Sequence, residues 1–151
     1  MNPEFAKCIS TFFYVGYAPL VPGSLASLVG LIMAWFMRGL LAVYIPVAVL
    51  VTILGFWVCG EAEKAFGKKD PGCVVIDEVS GMLISMFMIP LTMSTMITGF
   101  FLFRAFDMFK VPPADRFEKL HGSRGIMLDD IMAGVYTNLV LQVAIRVAGV
   151  Y

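Results

Sequence analysis

Charge is what this sequence has least of. Of its 151 residues only 15% are Asp, Glu, Lys or Arg, while 60% are hydrophobic, and the mean hydropathy is +0.87. Such usage excludes an ordinary soluble domain and fits one embedded in a membrane. Eleven basic residues balance eleven acidic ones, so no basic field exists to attract DNA or RNA, and no nucleic-acid partner is expected. Histidine occurs once, at His121, which rules out a two-histidine mechanism. The three cysteines, Cys8, Cys59 and Cys73, have no metal-ligand spacing, and their odd number argues against a disulfide framework. Internal repeats and charged tails are missing, and the N-terminus lacks the basic start, apolar run and small-residue site of a cleaved signal.

What is there is a set of apolar runs with charged junctions. Residues 23 to 37 read as one helix and 40 to 60 as a second, long enough to cross a bilayer, with Pro46 as a kink. Residues 79 to 103 form a third apolar block. A straight helix from Asp77 to Asp107 would part them by roughly 45 Å at 1.5 Å per residue. Pro90 offers another arrangement, in which residues 89 to 95 bend and two short arms fold into a hairpin. A last helix is expected to begin at Asp129 or Asp130 and run towards Val150. The fold expected is all-α, a single domain over residues 1–151, built as a membrane-embedded bundle with helical hairpins and a polar site at one end.

In that arrangement Ser24, Glu61, Asp77, Asp107 and Asp130 share one level. Lys7, Lys64, Lys68, Lys69, Arg104, Lys110, Arg116, Lys119 and Arg124 lie on the same side, and only Arg38 and Arg146 lie opposite. Positive charge collects on the cytoplasmic side of membrane proteins, so the site is expected to face the cytoplasm.

Glu61, Glu63, Asp70 and Asp115 read as solvated loop charges. Asp77, Glu78, Asp107 and Asp130 differ, because each adjoins a long apolar run, where an ionised carboxylate is expensive unless paired or bound to a cation. Residues four apart share a helix face. Asp130, Gly134, Asn138 and Gln142 therefore make one polar or small stripe, and Asp77, Gly81 and Ser85 make another. Asp129 is left to cap its helix or to join the site from its edge. Hard oxygen ligands without histidine or cysteine suit Mg²⁺, held by Asp77, Glu78, Asp107 and Asp130. Arg104 and Lys110 either pair with these acids or hold phosphate oxygens. Gly23, Ser24 and Ser27 open a helix whose free N–H groups favour an anion.

Several stretches then resemble one family. GYAPLVPGSLASL (16 to 28), VVIDEVSGMLI (74 to 84), FRAFDMFKVPP (103 to 113) and HGSRGIMLDDIMAG (121 to 134) are similar, in order and spacing, to phosphatidylglycerophosphatase A. The resemblance implies a magnesium-dependent enzyme of the bacterial cytoplasmic (inner) membrane that converts phosphatidylglycerophosphate to phosphatidylglycerol. It places Asp77, Glu78, Arg104, Asp107, Lys110, Asp129 and Asp130 on the family's polar positions, with Asp129, Asp130, Arg104 and Lys110 expected to be catalytic. The chain departs from the pattern at Val111, where a proline is usual, at Ser24 for threonine and at Ala26 for glycine. The family's acidic position before Gly122 falls on Glu118 rather than Asp115.

Other phosphatase chemistries are excluded, since neither Cys-x5-Arg nor Asp-x-Asp occurs. Metal-assisted attack of water remains, with a direct aspartyl nucleophile still open. The alternative is a non-enzymatic membrane protein that binds or carries cations, yet an ion pathway needs polar residues through its depth, and these cores are nearly clean. A CDP-alcohol transferase would carry an Asp-Gly-x-x-Ala-Arg core, which is missing.

Overall fold

A computed structural model describes residues 2–112, 120 and 122–149. Among them there are six α-helices and no strand: α1 Pro3–Ser10, α2 Pro22–Phe36, α3 Leu41–Phe66, α4 Ile76–Met86, α5 Met93–Phe109 and α6 Ser123–Ala148, with a 3₁₀ turn at Val15–Tyr17. Asn2 and Pro3 open α1 in the usual way, the Asn2 side chain accepting from the Glu4 N–H at 3.0 Å.

Two helices, α3 and α6, are long and apolar enough to cross a membrane. In each, only 22% of the most apolar stretch is buried, so these helices are not the hidden core of a soluble protein. Their outer faces show Leu50, Ile53, Trp57 and Val143 to the surroundings. α3 runs further than expected, through Glu61 and Lys64 to Phe66, and stops at Gly67, whose φ of +64° few other residues adopt easily.

The short helix α4 is the centre of the bundle. Nine of its eleven residues are buried, with α2, α3, α5 and α6 around it. The expected turn is present and begins slightly earlier, at residues 87–92, so α4 and α5 form a hairpin rather than one long helix. Thr92 and Thr95 then start α5 with a reciprocal capping box.

The two small-residue stripes meet. A Cβ on Gly134 would lie 2.5 Å from the Gly81 carbonyl oxygen, and one on Gly81 would lie 2.7 Å from that of Asp130. Only glycine allows α4 and α6 this close.

A buried helix end must find partners for its last four carbonyls. In α4 all four are matched. Leu83 accepts from the Tyr44 hydroxyl at 2.6 Å, and Ser85 from the Asn138 amide at 3.0 Å. Ile84 and Met86 accept the N–H groups of Phe87 and Ile89, both at 3.2 Å. The same Asn138 amide reaches Phe87 O at 2.7 Å, and Gln142 reaches Met88 O at 3.4 Å. The stripe on α6 thus does two tasks: it admits α4 at the glycines and completes its deep end.

Candidate active site

The shallow end of α4 carries Asp77 and Glu78 in its first turn, where acidic side chains suit the helix dipole. Asp130 approaches from α6, one turn above the Gly81–Gly134 contact. One carboxylate oxygen from each of Asp77, Glu78 and Asp130 lies within 4.8 Å of the others. Asp77 is 7% exposed and Asp130 3%. Asp77 Oδ1 and Glu78 Oε2 are buried and accept no hydrogen bond. Three carboxylates converging in a dry place with oxygens to spare are complementary to a divalent cation.

Asp77 and Glu78 lie outside the two spanning helices. Burial pushes both carboxyls above the ordinary range, Glu78 to about 7. The facing acids Glu78 and Asp130 raise Asp77 further, and Asp107 raises Glu78, against the lowering influence of Asp77 and Arg104. A cation would remove this repulsion.

Asp107 stands beside the group of three. Its Oδ2 lies 2.7 Å from Arg104 Nη1, a contact close enough for an ion pair but without the alignment of a hydrogen bond. Lys110 Nζ donates to Asp129 Oδ2 at 3.1 Å. Each of the two basic residues is thus paired with an acid and held at the edge of the carboxylate cluster, as the first of their two readings has it.

Asp129 corrects one expectation. It does not cap α6, which starts six residues earlier at Ser123 after Gly122 at φ +71°. Ile126 and Met127 are buried and continue the helix across the position where a break was expected. Asp129 instead accepts from both Lys110 and the Asp130 backbone N–H, the latter at 3.1 Å, and so takes the place at the edge of the site.

The N-terminus of α2 closes another side. A Cβ on Gly23 would collide with Glu78 Oε1 and lie 3.3 Å from Arg104 Nη1, so glycine lets the helix end abut both. Ser24 is half-buried beside it. The Ser27 hydroxyl donates to the Gly23 carbonyl at 2.8 Å, inside the helix. Val21, just before α2, and Lys110, just after α5, both have left-handed backbones, at φ +43° and +46°. For a β-branched valine this is strained, and such strain gathers at functional sites.

Glu61 and Glu63, expected in a loop, lie on the last turns of α3; Glu61 pairs with Lys64 at 2.7 Å on the surface, and Glu63 accepts from the Asp70 N–H at 3.1 Å. Asp115, Arg116, Glu118, Lys119 and His121 lie outside the described residues. The sequence reading missed Ser123, whose hydroxyl accepts from the Gly60 N–H at 2.7 Å, and Met127, which fills the space beside Gly55. Gly55 and Gly60 in an apolar helix were the available signal.

Most of the chain is similar to known proteins. A family model described as phosphatidylglycerophosphatase A matches residues 8–145. The chain is 33% identical to a putative phosphatidylinositol-3-phosphatase of Bacteroides thetaiotaomicron, over 98% of this chain and 99% of that protein. It is 37% identical to phosphatidylglycerophosphatase A of Escherichia coli, over 82% of this chain and 73% of that one. Its identity to the Haemophilus influenzae protein of the same name is 36%, over 93% and 88%. No solved structure matches.

Proposed function

The chain belongs to the phosphatidylglycerophosphatase A family, and from that premise we propose that it hydrolyses the terminal phosphomonoester of phosphatidylglycerophosphate, releasing phosphatidylglycerol and inorganic phosphate. The observation that carries the reading is the convergence of Asp77, Glu78 and Asp130 with two buried carboxylate oxygens unpartnered. These three residues would hold Mg²⁺, a hard cation that keeps water and substrate phosphate in its shell. When bound, it would polarise the phosphoryl group and make water more acidic.

The chain's own groups do the rest. Arg104 and Lys110 bind the phosphate oxygens, one as a planar fork and one as a point charge. Asp107 and Asp129 keep those cations aimed. The free N–H groups at the start of α2, around Gly23 and Ser24, add positive potential on the far side. Water attacks phosphorus in line while Asp129 accepts its proton. The P–O bond to glycerol breaks, its electron pair goes to the glycerol oxygen, and a proton from solvent completes the alcohol. Ser27, whose hydroxyl is engaged within α2, supports the helix start rather than touching phosphate.

Our reading puts the enzyme in the bacterial inner membrane with this site facing the cytoplasm, and the distribution of positive charge supports it. Of the basic residues described, Arg38 follows the far end of α2 and Arg146 ends α6, while Lys64, Lys68, Arg104, Lys110 and Arg124 are at the site end.

The full-length similarity to a putative phosphatidylinositol-3-phosphatase supports a second substrate reading, with a phosphomonoester on inositol instead of glycerol. One experiment separates them. Purified protein in vesicles is given each lipid, with and without Mg²⁺, and phosphate is measured. Mg²⁺-dependent release chiefly from phosphatidylglycerophosphate is expected. Preference for phosphatidylinositol 3-phosphate would move the substrate, and release from neither would overturn the assignment.

A further inference from the structure

A charged headgroup must reach the carboxylates while its acyl chains stay in lipid. A cavity at the polar end, bordered by Glu63, Lys69, Asp70, Gly125, Ile126 and Asp129, is lined largely by charged side chains and suits water or released phosphate better than acyl chains, and on three lateral sides the elements around the site are in contact. Between α3 and α6, Gly60 is hydrogen-bonded to Ser123 and Met127 fills the gap at Gly55. Between α5 and α6 stand the Lys110–Asp129 pair, the Phe106–Tyr136 ring contact at 5.8 Å, and the Tyr136 hydroxyl donating to Pro112 O at 2.8 Å. On the N-terminal side the Val75 N–H donates to Ser10 O at 2.9 Å, and Gly16 sits against the Cys73 carbonyl.

The fourth side, between α2 and α5, is built differently. At the level of the site it is closed by Gly23, which has no side chain, and by Arg104. Outside them the rim turns apolar and exposed. Leu20 (76%) and Val21 (66%) lead into α2 on one side. Phe101 (67%) and Met108 (73%) flank Arg104 on the other, three residues before and four after it and so on the same helix face. Crossing the seam, a molecule meets apolar surface, then a guanidinium, then the carboxylate cluster. That order is the complement of a phospholipid with a terminal phosphate: acyl chains, anion, cation-bridged anion.

Resting on the lipid phosphatase reading above, we propose that the substrate reaches the site sideways from the bilayer through the α2–α5 seam, with Leu20 and Val21 as one lip and Phe101 and Met108 as the other. The acyl chains stay outside the bundle along the seam. Arg104, held by Asp107, is the first protein charge the phosphate meets.

The test uses the full chain in vesicles with Mg²⁺ and a radiolabelled, non-hydrolysable phosphonate analogue of phosphatidylglycerophosphate. A benzophenone amino acid replaces Phe101 or, on the outer face of α3, Ile53, which is similarly exposed at 60%. Irradiation is expected to label the Phe101 position several times more than the Ile53 position, and excess unlabelled analogue should suppress it where phosphatidylcholine does not. Equal labelling of both positions, or labelling that the analogue does not suppress, would overturn the portal. Should replacement of Phe101 disturb folding, the same comparison is made from Met108. Selective labelling by a protein that releases no phosphate from the natural lipid would leave the portal standing and remove the substrate assignment instead.

Discussion

The two ends of α4 are both packed inside the bundle and are treated in opposite ways. At its deep end every one of the last four carbonyls has a donor, two from backbone and two from the side chains of Tyr44 and Asn138. At its shallow end Asp77 and Glu78 leave buried oxygens without any. A protein that finds partners for weak neutral acceptors has not left strong anionic ones bare by oversight. Neutral carbonyls are matched because their loss would only destabilise. The carboxylates remain open because a cation is their partner, and the repulsion they store without it is part of their affinity for it.

The largest effect should come from the open end. Asp77→Asn and Asp130→Asn keep shape but remove charge, and phosphate release should fall at least about a hundredfold, the scale on which positioned electrostatic groups act. More than half of wild-type activity in folded variants would end the metal role.

Breaking the matched end should act on stability. Asn138→Leu strips donors from Ser85 O and Phe87 O, and should lower unfolding free energy by about 1–3 kcal/mol per orphaned group. Melting in detergent would measure this, and the loss should be the same with and without Mg²⁺.

A pH titration sharpens the contrast. Glu78 has its carboxyl raised from 4.5 to about 7 in the fold, so the metal-free protein favours the protonated form. Its stability should therefore fall as pH rises from about 4.5 through 7. Mg²⁺ binds the deprotonated form, and its affinity should weaken as pH drops below about 7, by up to roughly tenfold per unit for each proton displaced. Calorimetric titrations at pH 6 and 8 would reveal it. The smallest effect belongs to Tyr44→Phe, which orphans one carbonyl, Leu83 O, instead of two and should cost about 1–3 kcal/mol at any pH near neutrality.

Much of this contrast was legible in the chain. The stripes Asp77–Gly81–Ser85 and Asp130–Gly134–Asn138–Gln142 follow from helical period alone, and they are the surfaces that meet. The hairpin followed from Pro90 and from the distance a straight helix would put between Asp77 and Asp107. The start of α6 was not legible, because Gly122 and Ser123 act through a backbone conformation and through a contact with Gly60, 63 residues away. Nor was the division of labour among carboxylates. Arg104, three residues before Asp107, offered that carboxylate a partner in the sequence itself, but only the packing of α6 against α4 brings Asp130, and not Asp107, into one group with Asp77 and Glu78. Tyr44 carried no signal beyond a hydroxyl in an apolar helix, since its acceptor is 39 residues away.

The central claim, that the unpartnered carboxylates await a cation, is tested most directly by thermal unfolding of the wild-type protein and of Asp77→Asn with increasing Mg²⁺. Asp77→Asn is expected to melt above the wild type when both are metal-free, because the cost of burying a carboxyl among other acids is gone, and Mg²⁺ should then raise the wild-type midpoint but barely move the variant. A wild-type midpoint indifferent to Mg²⁺, together with an Asp77→Asn protein less stable than wild type without metal, would contradict it.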